Sequence, residues 1–553
     1  MFRFFLLILM LFYSLQASSI EPAKFKEDDA TQRKAKPLHP QSHIKVFLPS
    51  IPYSYIAKNT NAGLIRSHDN EQGWVYDLAK SHQRLDDFTY IFEIRKNMRF
   101  QDGSAFTIDS VIKNLNYFKA SPFLYTNIDN VDFSVTKLDE YRIKIVLKQK
   151  YEMFFLDLAR IYFYTDNYLD KFKPKGAQTG SANRAPGAFG MGPYILKSGY
   201  AIGKKQTPKL ELIANPYYWD KRYPKIEHIT VFTQLNMKDA MNDVVNYEGK
   251  LDISPIPFNK KIDVLMSPYS KLVIKESTNN FLIFFNLING NEKLKDVNVR
   301  QALNQALNQE NLLNFVYKKE GKISPFSTSI NYDIVETIAK KKAYSPKYLS
   351  EREKHHLLNN LTLNIFTQDR FMFLWKGIEF QLKKYGVKLN YTVTTSEKDI
   401  YGQLLATKAS KNSHAWDLLI WGDDDWYYQN PWTVFFIYEN DSPWSTIQND
   451  ALMHHYIQKL FTTNIKTQRY ETIVSRILYR ARDMAYTLRV PSPNKVIAVN
   501  KEVIYNPYEG GMIPLWEIEI TKDHWSLRKQ KSYPKVLQKA VKPQRETSNE
   551  IYQ

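Results

Sequence analysis

Apolar and polar residues alternate along TYIFEIRKNMRF (89–100). Tyr90, Phe92 and Ile94 fall on one side, and Ile91, Glu93 and Arg95 on the other. A period of two predicts a strand buried mainly on one face. Gln101–Asp102–Gly103 then reads as a turn. Beyond it the period changes. Val111, Leu115 and Phe118 recur at helical spacing, Thr107 is placed to cap them, and Asp109 in the first turn suits the positive end of the helix dipole. Val131, Phe133 and Val135 alternate again, as do Ile143, Ile145 and Leu147. With Lys137–Leu138–Asp139–Glu140 between them, the two runs predict an antiparallel hairpin.

Two more strands are predicted at LELIANP (210–216) and IEHITVFTQ (226–234). Asp296 is placed to cap a helix carrying Val299, Ala302, Leu303, Ala306 and Leu307, and Asn308 to restart one carrying Leu312, Leu313 and Val316. Farther on, LTLNIFT (361–367) and VKLNYTVTT (387–395) flank the helical pattern FLWKGIEFQLKKYG (373–386). Strand, helix and strand in that order predict an α/β domain. With 553 residues, these elements are too many for one core, so two or three domains are expected.

Composition refines this picture in three ways. Hydrophobic residues at 43% and charged residues at 24% exclude wholesale disorder. The net charge of +19 comes from lysines spread along the chain. Without a helix-turn-helix, zinc-finger or single-strand signature it reads as a solvated surface, and no nucleic-acid partner is expected. The absence of cysteine removes disulfides, thiolate catalysis and cysteine metal sites. At the N-terminus, Arg3 precedes an apolar run from Phe4 to Phe12 and the small residues Ala17–Ser18–Ser19. That layout predicts a cleaved signal peptide over 1–19, since the run is shorter than the ~20 apolar residues of a spanning helix. A flexible polar leader is expected over 20–42 and a basic disordered tail over 527–553. An exported chain without a cysteine to lipidate points to the periplasm.

The stretch WGDDDWYYQNPW (421–432) sets three aspartates among aromatic rings. Three carboxylates are costly in a plain core, so they need a positive partner, either the protein's own or a ligand's. Neighbours on an extended strand point to opposite faces, so Asp423, Asp424 and Asp425 cannot all meet one ligand. Trp421, Trp426 and Tyr427 offer flat apolar walls.

Five segments in order resemble the family 5 extracellular solute-binding proteins, the peptide- and nickel-type binding proteins of ATP-driven importers. They are FEIRKNMRFQDGSAFTIDSVIKNLNYF (92–118), GMGPYILKSGY with LELIANPYYWDKRYPKIEHITVF (190–200 and 210–232), EGKLDIS (248–254), FLIFFNLINGNEKLKDVNVRQALNQALNQENLLNFVY (281–317) and WGDDDWYYQNPW. The resemblance implies an α/β fold of the type II (cluster C) periplasmic-binding-protein kind, with two lobes, an extra domain and a hinge. Domain I would comprise 43–63, 190–285 and 495–526, domain II 64–189, and domain III 286–494. Crossovers near 285 and 494 would form the hinge, with Asn286 and Arg300 in structural roles beside it. Arg300 would bridge the lobes or hold a helix start.

In the peptide-binding branch the acid of a W-x-x-D loop meets the ligand's α-amino group. Asp424 has that spacing from Trp421, with Asp423 and Asp425 as rivals. The function implied is capture of a small ligand, foremost a short peptide, by a monomer that delivers it to an inner-membrane ABC permease. A nickel or other metal chelate is the alternative within the family. A periplasmic sensor or chaperone-like protein is the alternative outside transport. No cofactor and no resident metal are expected. His355–His356 and His454–His455 are adjacent pairs that do not share a helix face, and read as surface residues. No G-x-S-x-G, phosphate-loop or H-E-x-x-H motif is present, and one acidic loop does not make a glycosidase pair. No catalysis is expected.

Overall fold

The computed structural model describes residues 38–49, 52–120, 132–172, 185–201, 206–341, 348–423, 430–431, 437–510 and 513–528. Three sheets organise them. The largest has seven strands in the order Ser270–Lys275, Lys495–Asn500, Ile253–Pro255, His43–Phe47, His228–Phe232, Lys209–Ala214, Tyr194–Ser198. His43–Phe47 runs parallel to both of its neighbours, while the outer pairs are antiparallel. Ile44, Val46, Leu210, Leu212, Ile229, Val231 and Val499 fill its core at essentially zero exposure.

A second sheet, of five strands, runs Lys388–Thr394, Thr362–Gln368, Leu418–Asp423, Asn280–Phe285, Thr487–Leu488. Thr362–Gln368 is parallel to Lys388–Thr394 and to Leu418–Asp423. The helix Met372–Leu382 makes the expected crossover between the first two, burying Leu374, Trp375, Ile378 and Leu382. The third sheet has four antiparallel strands, Ala79–Arg84, Thr89–Ile94, Arg142–Leu147 and Phe133–Lys137. It contains the predicted hairpin, with Phe133, Ile143, Ile145 and Leu147 turned inward. Helix Ile108–Ala120 packs on it through Val111, Leu115 and Phe118. Thr107 receives the Ser110 amide at 3.3 Å, the capping bond read from the sequence.

The family motifs meet where the seven- and four-stranded units join. Gln101, 4% exposed, donates to the carbonyls of Thr60 and Tyr194 at 2.7 Å each and accepts from the Gly190 amide at 2.9 Å. A Cβ at Gly192 would stand 2.4 Å from the Thr60 carbonyl carbon, so only glycine lets these two backbones touch. Asn215 holds the Gly192 carbonyl at 2.8 Å, and Trp219 donates to buried Asp77 at 2.8 Å. Burial raises the Asp77 carboxyl above the usual range, with Arg66 as the main opposing influence. Tyr194 is fully buried and Trp219 packs in the same junction.

The strand pairing locates the passages between the two larger sheets. The strand Asn280–Phe285 pairs with Leu418–Asp423 and Thr487–Leu488 in the five-stranded sheet, whereas Ser270–Lys275 pairs within the seven-stranded one. The first crossover therefore passes through 276–279, ahead of the expected position near 285. The second passes through 489–494, between Thr487–Leu488 and Lys495–Asn500. The apolar run Phe281–Phe285 is buried on both faces, so its pattern alone does not say which sheet it joins.

Candidate functional site

A cavity of about 1010 Å³ of atom-free space, part of it continuous with solvent, lies where the two larger sheets face one another. Parallel strands aim their carboxyl ends at it from both sides, as ligand sites in open α/β sheets commonly require. From the seven-stranded unit come Phe47 to Pro49, which follow His43–Phe47, and Pro255 to Phe258, which follow Ile253–Pro255. From the five-stranded unit come Arg370, Phe371 and Phe373, just past Thr362–Gln368, with Phe281 at the start of Asn280–Phe285. Both crossovers line the cavity as well, through Ser277, Asn279, Pro493 and Asn494.

The walls are mainly apolar, and the polar groups are few and placed. The side-chain carbonyls of Asn279 and Asn494 are buried with no hydrogen-bonding partner among the described residues. An unmet buried acceptor costs about 1–3 kcal/mol, which an incoming N–H group recovers. Burial holds the Tyr505 phenol well above its ordinary range, so it stays protonated. The Arg370 guanidinium lies 4.1 Å over the Phe371 ring, and its Nε donates to Gln368 at 3.0 Å. A Cβ at Gly422 would stand 3.2 Å from Arg370 Nη2. The glycine thus lets this cation lie against the strand end one residue before the aspartate run.

Contacts across the cavity hold the two sides together. Gln368 donates to the Pro49 carbonyl at 3.1 Å. Asp369 accepts from the Met237 amide at 3.0 Å, at the positive end of helix Met237–Asn246. Phe258 stacks on buried Tyr317, with centroids 5.1 Å apart, and meets Phe373 edge-on at 5.2 Å. Lys261 pairs with Glu320, and Lys322 with Glu276 at 2.8 Å.

Of the residues singled out from the sequence, Asp424, Asp425, Trp426 and Tyr427 lie outside the described residues. Asp423 ends the strand Leu418–Asp423, with its Cα opposite Asn280 at the cavity end of the sheet. Trp421 is 3% exposed. Its Nε1 donates to Glu397 at 2.9 Å, and its ring packs against Tyr401 and Trp444. Asn286 sits at the opposite end of Asn280–Phe285, away from the crossover, where it accepts from the Asn289 amide at 3.1 Å and donates to the Trp416 carbonyl at 3.0 Å. Arg300 is 2% exposed and donates to the carbonyls of Leu294, Lys295, Met484 and Ala485. All four belong to the same unit, so these bonds hold a helix start and do not span the lobes. Desolvation lowers the Arg300 pKa from its ordinary value.

Arg370, Asn279, Asn494 and Phe258 were not legible from the sequence. Arg370 had one available signal, its position just past the carboxyl end of a parallel strand. The others gather only through the tertiary fold.

The sequence matches the family model described as bacterial extracellular solute-binding proteins, family 5 middle, over residues 73–445, more than half of the chain. The nickel-binding protein NikA of Staphylococcus aureus (strain NCTC 8325 / PS 47) is 24% identical over 455 residues, covering 79% of this chain and 82% of NikA. Among solved structures, the oligopeptide-binding protein AppA of Bacillus subtilis in complex with a nonapeptide has a TM-score of 0.69 at 17% identity, covering 88% of this chain and all of that one (100%). DppA of Helicobacter pylori in complex with the peptide STSA has a TM-score of 0.70 at 15% identity, covering 87% and 99%. Likeness at such low identity speaks to the fold, which is that of the two-lobed type II binding proteins. Sequence match and fold agree, and the chain belongs to family 5 of the bacterial extracellular solute-binding proteins.

Proposed function

We propose that this protein captures a short peptide in the cavity between its two larger units and delivers it to the membrane permease of an ABC importer, without chemical change to the ligand. The observation that carries this reading is the pair of buried, unmet carbonyls of Asn279 and Asn494 in an otherwise apolar cavity. Peptide N–H groups supply donors to them, and the aromatic walls accept varied side chains. None of the described residues lining the cavity is a histidine or a carboxylate, which is poor provision for a bare cation. In sequence, Asp424 and Asp425 follow Asp423, the residue that ends the strand Leu418–Asp423. In this reading Arg370 meets one of them and Asp424 takes the ligand's α-amino group.

The crossovers 276–279 and 489–494 act as the hinge, and ligand shifts the open–closed balance by its preference for the closed form. Domains I and II are then the units of the seven- and four-stranded sheets, and domain III that of the five-stranded sheet. Among the described residues no helix is long and apolar enough to cross a membrane. Export by a cleaved signal peptide to the periplasm is part of the same proposal. The similarity to NikA over most of the chain supports a second reading, in which a metal arrives already chelated. Native mass spectrometry before and after denaturation, with metal analysis of the same sample, separates the two. Released masses that fragment into peptide ladders support the first. Nickel or another metal with a small organic chelator, and no peptide, replaces it with the second.

A further inference from the structure

Glu439, Asp441 and His454 come together on the five-stranded unit, each with a potential ligand atom, all within 4.8 Å of one another. None of the three lines the cavity. The segment that carries the two acids passes the far end of the strand Asn280–Phe285, where Thr446 donates to the Phe285 carbonyl at 2.9 Å. His454 stands in the first turns of helix Ala451–Phe461. The loop and the helix are pinned to each other, because Asn440 accepts from the Asp450 amide at 3.0 Å. Asp450 itself caps the helix through the amides of Leu452 and Met453 and binds Arg480 at 2.7 Å, so it is engaged elsewhere.

Glu439 is 6% exposed. One of its oxygens faces His454 Nδ1. The other is buried, and among the described residues the carboxylate has, besides His454, a side-chain hydrogen bond only from Gln458, on the same helix. A carboxylate that is nine-tenths buried is a costly arrangement for a structural ion pair alone. Asp441 is exposed, and His454 is neither buried nor fully exposed, so the cluster opens to solvent on one side and leaves coordination positions for water.

We propose that Glu439, Asp441 and His454 form a binding site for a divalent transition-metal ion of the zinc type, separate from the ligand cavity. One imidazole nitrogen and two carboxylates make a nitrogen–oxygen donor set suited to such ions and poor for calcium, which takes six to eight oxygens. Donors bound at about 2.0–2.2 Å to one ion stand farther apart than a hydrogen-bonded pair, so His454 and Glu439 open to admit it and exposed Asp441 swings in. Two carboxylates balance the charge of a divalent ion, and the imidazole adds a nitrogen donor. Lys408 is the opposing group. Its ammonium is held by the Asn440 carbonyl and feels both Asp441 and Glu439. Occupied, the site would tie the loop before Asp450 to the helix after it.

The test is calorimetric titration of zinc chloride into the untagged full-length chain after chelator treatment, with the metal content of gel-filtered protein measured in parallel. One zinc ion per chain is expected to depend on His454. Asp441→Asn and His454→Ala should each weaken binding by at least about tenfold, since even supporting residues of metal sites cost about 10–100-fold. Lys408→Met should tighten it, and His356→Ala should leave it unchanged. Asp441 is exposed, so Asp441→Asn keeps the test valid if a change at buried Glu439 impairs folding. Zinc content equal in wild type, His454→Ala and Asp441→Asn, or no saturable binding at all, overturns the proposal and leaves the trio as an ion pair with a neighbouring acid.

Discussion

Two junctions between units of this molecule are built on opposite terms. Where the seven- and four-stranded units meet, Gln101 uses both its donor and its acceptor, Gly190 and Gly192 bring backbones into contact, and Asn215 and Trp219 add further bonds. Where the seven- and five-stranded units meet, contacts such as that of Gln368 with Pro49 frame a cavity, and two carbonyls at the crossovers are left unmet. A close-packed junction leaves no room for a visitor. An open one carries a cost that a visitor with N–H groups removes. The difference marks one interface as scaffold and the other as site.

Substitutions on the two sides should therefore separate affinity from stability. The largest expected effect is Asp424→Asn, which should cut peptide affinity by about 2–5 kcal/mol, the scale for truncating a buried charge pair. Isothermal titration with the co-purified peptide measures it, and unchanged affinity removes Asp424 from the site. Next is Gly192→Ala at the close-packed junction. Its methyl group would be forced against the Thr60 backbone, and overpacking of this kind costs about 1–3 kcal/mol. The loss should appear in denaturant unfolding while peptide affinity in the folded fraction holds. Asn279→Ala at the open junction should do the reverse, weakening peptide binding by about 0.5–1.5 kcal/mol with the unfolding midpoint held or raised. If it destabilises the empty protein as much as Gly192→Ala does, the contrast between the junctions fails.

A pH dependence is expected on the scaffold side as well. His82 lies among Tyr76, Phe92 and Phe155, with Tyr76 Oη 2.7 Å from its Nδ1. Burial depresses its pKa to about 4. The folded state thus favours neutral imidazole, while the unfolded chain protonates near 6.5. This stabilisation is whole above about pH 6.5 and is lost as pH falls from there toward 4. Thermal unfolding of His82→Phe across that window should slope less than wild type.

The scaffold was far more legible in the sequence than the site. Ile143, Ile145 and Leu147 alternate because one face of their sheet is covered, and the hairpin could be read from them. The strand–helix–strand unit around Met372–Leu382 was equally plain, as were the caps at Thr107, Asp296 and Asn308. Such signals are local, because each residue's partner lies within a turn or across one hairpin. Phe281–Phe285 carried no such signal, so the sheet it joins could not be read from its pattern. The cavity was harder still. Asn279 and Asn494 are far apart in the chain, and neither belongs to a motif. Their meeting is a product of two sheets folding toward each other. The aspartate run drew attention by composition. Of its surroundings the structure describes Trp421, packed in its own unit, and Gly422, set against Arg370.

The two short crossovers carry a mechanical consequence. A single tether between bodies permits twist, tilt and swing alike. Two tethers side by side leave one rotation easy, as a door hung at two points has one way to turn. The segments 276–279 and 489–494 both border the cavity, so the easy rotation is the one that widens or narrows its mouth. Anything on the outside that senses the angle between the two bodies thereby senses, through a single coordinate, whether the mouth is shut.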